Sequence, residues 1–130
     1  MTVVVDASAL LALLFDETGA AAVAEVIAEG ATVGAVNLGE VATVLTRNAR
    51  DPRRVLGPVL AQVAVEPFTD DDALAVAALY PLVSRRGLSL GDRACLALAQ
   101  RLGAPALTAE RAWVDLQVGV TVQLIRPPHG

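Results

Sequence analysis

Four carboxylates occupy comparable places in the sequence. Asp6 follows the β-branched run Val3-Val4-Val5, and Glu40 lies three residues after Asn37 at the start of a helical pattern. Asp92 falls in the first turn of an apolar helix that begins at Ser89, and Glu110 follows the run Ala106–Thr108 by two residues. Acids gathered in one place repel one another and raise one another's pKa unless a cation neutralises them. Carboxylate oxygens alone favour a hard ion, Mg2+ or Mn2+. Such an ion lowers the pKa of a bound water and polarises a phosphoryl group, which is the chemistry of phosphodiester hydrolysis. Ser8 and Thr108 place hydroxyls two residues from Asp6 and Glu110, and Arg93 and Arg111 sit directly beside two of the acids. Arginine suits bidentate phosphate contact. Each residue also has a purely structural reading. Asp6 is then an N-cap, Glu40 the far half of a capping box with Asn37, and Asp92 and Glu110 complements to helix dipoles. The hydroxyls are then local turn bonds and the arginines solvated charges.

Composition narrows the alternatives. All 10 basic residues are Arg, which removes Schiff-base, P-loop and Ser-Lys chemistry. The single His, His129, stands near the C-terminus, so a buried His dyad is not expected and HExxH zinc chemistry is excluded. One Cys, Cys95, leaves no intrachain disulfide and reads as a small core residue. Net charge is −4, so no generic basic footprint for nucleic acid exists; Arg47, Arg50, Arg53, Arg54 and the pair Arg85-Arg86 supply local positive charge instead. No basic residue precedes Arg47 and no apolar run approaches membrane-spanning length, so the expectation is a cytoplasmic chain without signal peptide or membrane segment.

The 130 residues, 55% of them hydrophobic, suit one domain spanning 1–130. Short β-type runs alternate with helical patterns. Strands are expected at Thr2–Val5, Thr32–Val36, Ala64–Phe68, Ala106–Thr108 and Val118–Ile125. Helices are expected from Ala7 to Phe15, from Gly19 to Glu29, from an Asn37 cap to Ala49, and from Asp51-Pro52 to about Val63. Further helices run from Thr69 towards Arg86 with a kink or restart at Pro81, over Ser89–Leu102, and over Glu110–Leu116. This alternation predicts a mostly parallel sheet with helices on both faces and a ligand site at the carboxyl ends of the strands. Three of the acids then line one rim, and Asp92 joins them if its helix starts there. Trp113 is expected to pack its helix on the sheet.

The chain resembles PIN-domain ribonucleases, and most closely the VapC toxins of VapBC toxin–antitoxin pairs. The matching stretches are Val3–Leu10, Asn37–Val41, Leu88–Ala99 and Ala106–Trp113. The Gly91-Asp92 block followed by Thr108-x-Glu110-Arg111-x-Trp113 is the specific part. The resemblance implies a three-layer α/β/α PIN-like fold and Mg2+- or Mn2+-dependent endoribonuclease activity on RNA. It implies Asp6, Glu40 and Asp92 as the acidic triad and Glu110 as the fourth acid; Asp6 and Asp92, short side chains on rigid element ends, are the expected direct metal ligands, with Glu40 and Glu110 secondary. Glu110 stands where the family commonly has Asp and is one methylene longer; Asp115, one turn on, reads as a surface acid, with substitution for Glu110 as the alternative. A small antitoxin partner that inserts a basic side chain among the acids, and a homodimer, are also implied; the apolar surfaces of Ala7–Phe15 and of the helices around Arg47–Val63 are the expected contacts. Two other readings compete. A haloacid-dehalogenase-like phosphatase would require a second Asp where Ser8 stands, and a Lys. A catalytically degenerate PIN-like binding or scaffold module differs only in the failure of the acids to support cleavage.

Overall fold

The computed structural model describes residues 1–127; His129 lies outside the described residues. Five strands, β1 (Val3–Val5), β2 (Ala31–Gly34), β3 (Ala64–Glu66), β4 (Ala106–Thr108) and β5 (Val122–Leu124), form one sheet in the order β3-β2-β1-β4-β5. Every pairing is parallel. The chain builds outward from β1 to β3, then crosses back to lay β4 against the other side of β1. The direction of build-up therefore reverses between β1 and β4, and that crevice is where an open α/β sheet places a ligand.

The helices are α1 (Ala7–Leu14), α2 (Ala20–Glu29), α3 (Ala35–Arg47), α4 (Pro52–Leu60), α5 (Asp70–Val83) and α6 (Leu90–Leu102). Alternating side chains of a strand point to opposite faces, and the core divides accordingly. Val4 and Ala106 pack with α5, α6 and Trp113, whereas Val5 and Leu107 pack with α1 to α4. Such two-sided burial is why the strands read as unbroken apolar runs rather than as alternation. Gly103 closes α6 at φ 61°, a conformation that a side chain would strain. Trp113 is fully buried, as its pattern predicts.

The structure corrects several element boundaries. Helix α3 begins at Ala35 with Gly34 as N-cap, so Asn37 is inside the helix and Glu40 is in its second turn. Helix α5 runs through Pro81 without a restart. Both Pro81 and Ala77, whose carbonyl the ring deprives of a partner, are exposed to water, and the helix passes into a 3-10 turn (Ser84–Arg86) shortly after. The helix expected over Glu110–Leu116 is a single 3-10 turn (Arg111–Trp113), and the strand expected over Val118–Ile125 is the shorter β5. No helix among the described residues is long and apolar enough to cross a membrane.

Helix α5 carries exposed large apolar side chains, Leu74, Tyr80 and Leu82, outside the surfaces expected from sequence. Leu74 is 72% exposed, and Ala77, Ala78, Pro81 and Leu82 continue its stripe at helical spacing. The opposite stripe, Val76, Leu79 and Val83, is buried, so α5 is apolar on two sides.

Candidate metal centre at the strand crossover

Asp6 ends β1 at the crevice and N-caps α1, its Oδ1 accepting the Ala9 amide at 2.8 Å. Thr108, the last residue of the adjacent β4, donates its hydroxyl to Asp6 Oδ2 at 2.6 Å. Ser8 Oγ lies 2.8 and 2.9 Å from the two carboxylate oxygens and shares its proton between them. The loop after β4 fixes both hydroxyls. The amide of Ala109 donates to Ser8 Oγ at 2.9 Å, and that of Glu110 to Thr108 Oγ1 at 3.0 Å. Each hydroxyl thus accepts from the backbone and has its one proton directed at Asp6, an arrangement in which successive bonds strengthen one another.

Asp6 is 2% exposed. Burial pushes its carboxyl up from 3.8 to about 6; the bonds from Thr108, Ala9 and Ser8 oppose the rise, and the negative charge of Asp92 adds to it. Among the described residues, the groups acting on Asp6 are two hydroxyls, an amide and a second acid.

Asp92 is held by a reciprocal cap. Ser89 Oγ accepts the Asp92 amide at 3.2 Å, and Asp92 Oδ2 accepts the Ser89 amide at 2.9 Å. Asp92 is thus the far half of a capping box rather than a dipole complement alone, and the cap fixes its side chain at the start of α6, where its charge raises Asp6. Glu40 is not held by a helix terminus. Its Oε1 accepts from Asn37 Nδ2 at 2.8 Å, and its carboxylate rests on Gly91 of α6, where a Cβ would collide with it. Beneath the three acids lies Cys95, whose thiol is pushed well up, first by burial and then by the charges of Asp6, Asp92 and Glu40 together.

Three of the four predicted acids thus share one electrostatic neighbourhood. Glu110 serves the site through its backbone amide on Thr108. It is exposed and lines a neighbouring cavity of about 590 Å³ with Arg111, Thr18 and Arg126. Arg126, which the sequence reading did not single out, is anchored there by donating to the Thr18 carbonyl at 2.9 Å. Arg93 faces away from the acids. Its guanidinium donates to the Val76 carbonyl at 3.0 Å and lies 5.3 Å from the centre of the Tyr80 ring, so it packs α6 against α5 instead of flanking the rim. Arg86 is likewise committed, to the carbonyls of Ala112 and Val114. Arg47, Arg50, Arg53 and Arg54 are exposed, and Arg50 stacks over Phe15 at 5.2 Å. Asp115 is exposed on the far side of the 3-10 turn.

Among the described residues, no three His, Cys, Asp or Glu side chains close around a point as a ready-made metal cage. The donor set nonetheless fits a hard divalent cation. It is all oxygen, it is anchored in the fold, and its most buried member, Asp6, is destabilised as an anion by burial and by the neighbouring charge of Asp92. Mg2+ characteristically takes one or two carboxylates and leaves its other positions to water and phosphate.

The comparisons bear on the same framework. The PIN domain family profile matches residues 3–118. Solved structures of similar fold include a toxin–antitoxin complex from Klebsiella pneumoniae, with TM-score 0.75 and 18% identity, covering 95% of this chain and 98% of the other. VapBC2 from Rickettsia felis, bound to a promoter DNA fragment, gives TM-score 0.75 at 12% identity over 95% and 98% of the two chains. VapC20 of Mycobacterium tuberculosis, described as a Sarcin-Ricin loop cleaving toxin, gives 0.65 at 21% identity over 82% and 87%. No curated protein matches the chain. With the family profile spanning nearly all of the strands and every acid of the crevice, the chain belongs to the PIN domain family.

Proposed function

We propose that this chain is a divalent-metal-dependent endoribonuclease, the VapC-like toxin of a type II toxin–antitoxin pair. The reading is supported by a buried Asp6 at the end of β1, with Asp92 near enough to raise it and Glu40 seated against Gly91 beside Asp92, and with Asp6 held, among the described residues, by neutral donors. Mg2+, with Mn2+ as substitute, is the ion these oxygens suit. Asp6 and Asp92 are its ligands, Glu40 and Glu110 act in a secondary role, and the bound ion supplies an acidified water and charge neutralisation at the phosphate. Ser8 and Thr108 keep the Asp6 carboxylate in one orientation. Arg111 and Arg126 beside the crevice suit an RNA phosphate. Water rather than the ribose hydroxyl is the nucleophile, so the products carry 5′-phosphate and 3′-hydroxyl ends.

The degenerate-module alternative draws support from Glu110, which is exposed and outside the acidic cluster. One experiment separates the two. RNA is incubated with the chain and Mg2+, with EDTA, and with the Asp92→Asn variant. Cleavage that disappears with EDTA and with the substitution supports the nuclease. Cleavage that survives both refutes the metal mechanism, and absence of cleavage under every condition favours the binding module.

The antitoxin suits the cavity of about 420 Å³ beside the acids, where Leu11, Phe15 and Val44 provide an apolar wall and Ser8 and Glu110 a polar end. A segment with an apolar anchor and a basic side chain matches that lining. A second copy of the chain covers the outer stripe of α5 in the proposed homodimer; a monomer by light scattering at micromolar concentration would contradict it.

A further inference from the structure

We propose that Asn37 is a positioning residue: its side-chain amide fixes the Glu40 carboxylate and ties the start of α6, which bears Asp92, to α3. The inference rests on the metal-nuclease reading and deepens it. Asn37 is 2% exposed. Its Nδ2 donates to Glu40 Oε1 at 2.8 Å and to the Gly91 carbonyl at 3.1 Å, so both amide protons are used. Both partners can only accept. The amide is therefore fixed in this orientation, because turning it over would set Oδ1 against two acceptor oxygens. In the observed orientation Oδ1 has no hydrogen-bond partner among the described residues. A buried acceptor without a partner costs stability, so Asn37 is a poor residue for packing alone. What it contributes is the pair of donations.

Gly91 forms the other wall of the seat. A Cβ at that position would fall on the Glu40 carboxylate, so the side chain is confined between the amide of residue 37 and the bare backbone of residue 91. Glu40 would otherwise be a flexible, half-buried side chain in mid-helix. The same amide joins it to the turn in which Asp92 is held by its cap. Hydrogen bonds of this outer kind set the orientation of metal-binding carboxylates, and their removal typically weakens metal binding about 10–100-fold.

The test uses Mn2+ alone as probe. Its dissociation constant is measured from the paramagnetic signal of the free ion for the wild-type chain, Asn37→Ala, Asn37→Leu and Gln100→Ala, and each melting temperature is measured in EDTA. Asn37→Leu keeps the γ-branched shape of the side chain and favours the helix while removing the donor, so it remains informative if the alanine variant folds poorly. Both Asn37 variants are expected to weaken Mn2+ binding at least about tenfold. Gln100→Ala removes an amide-to-carbonyl bond of the same kind at the other end of α6, to Val118 at 2.9 Å, and is expected to lower the melting temperature with Mn2+ affinity unchanged. Wild-type affinity in either folded Asn37 variant, or an equal loss in Gln100→Ala, overturns the positioning role. A wild-type chain that does not bind Mn2+ overturns the metal-nuclease reading itself, a different and distinguishable failure.

Discussion

Replacing Asp6 by Asn should stabilise the metal-free protein at neutral pH while destroying its affinity for the metal. The carboxyl titrates near 3.8 when unfolded and near 6 when folded. A folded value above the unfolded one means the native state binds the proton more tightly. Stability is therefore greatest below the unfolded value, declines as pH rises from about 4 to about 6, and is level above. The span of about 2.2 units corresponds to about 3 kcal/mol, at about 1.36 kcal/mol per unit. Asparagine removes that penalty and remains as good an N-cap, its Oδ1 keeping the Ala9 amide. Against this, its Nδ2 faces the hydroxyls of Ser8 and Thr108, which now donate to Asp6 and must turn to accept; about 1 kcal/mol is lost there. The net expectation is a gain of about 2 kcal/mol at pH 7.5, reversing to a loss of about 1 kcal/mol at pH 3.5. Urea unfolding in EDTA across this range measures it, and the difference between the two proteins isolates Asp6 because every other titrating group is common to both. A difference that stays constant from pH 3.5 to 7.5 would refute the burial argument. Mn2+ at a hundred times its dissociation constant should then stabilise the wild type by about 2.7 kcal/mol and Asp6→Asn not at all.

Further outcomes are expected. Thr108→Val removes the shortest donor to Asp6 while keeping the shape of the side chain; the folded protein should lose about 1–2 kcal/mol at neutral pH, and the Asp6 transition should move upward in a pH titration of unfolding. Asp72 supplies the opposite pH sign. Burial alone would raise it, but the Thr69 amide and the Arg101 guanidinium outweigh burial and hold it below 3.8, so its contribution is present above that pH and is lost as pH falls through the folded value. Arg101→Leu should flatten that acid limb and cost about 1 kcal/mol at neutral pH, the partial exposure of Arg101 keeping the figure small. RNA affinity measured with Ca2+ replacing Mg2+ should fall steeply as salt rises, and Arg126→Ala should reduce the slope by about one phosphate contact.

The order of strands and helices was legible because a parallel sheet covered on both faces needs apolar runs that stop abruptly, and Asp6 stands where the first of them stops. What local sequence could not convey was register and direction. Gly34 caps α3 without a side-chain bond, so the only cap-like residue in the stretch was Asn37. The three-residue spacing from Asn37 to Glu40 suits a capping box, but it also suits two side chains on one face of a helix already under way, and the structure takes the second option. Arg93 is adjacent to Asp92 in sequence, yet a helix turns about 100° per residue, which carries it from the rim into the joint with α5. Glu110 lies in a loop whose backbone amides, not its carboxylate, serve the Asp6 site. Arg126 reaches the crevice only because β5 closes the sheet beside β4, a placement with no local signal.

Asp6 and Asp72 together separate the demands of the fold from those of the site. Both are buried, at 2% and 4% exposure, and both accept bonds from a backbone amide. The chain neutralises Asp72 with Arg101 and surrounds Asp6 with hydroxyls. Hydroxyls orient a carboxylate without cancelling its charge, whereas a guanidinium cancels the charge and so removes the attraction for a cation. On this argument, mutation of the hydroxyls should make Asp6 less ordered, and a positive charge at the same position should make the protein more stable and inert. Ser8→Arg tests the second half. Its guanidinium can leave through the open cavity lined by Leu11 and Phe15 or turn back to pair with Asp6. Pairing predicts that the decline in stability between pH 4 and 6 disappears, that Mn2+ no longer raises the melting temperature, and that RNA is not cleaved. If Ser8→Arg abolishes the pH-dependent decline yet Mn2+ still stabilises the chain, the link between the uncompensated charge of Asp6 and metal affinity is wrong.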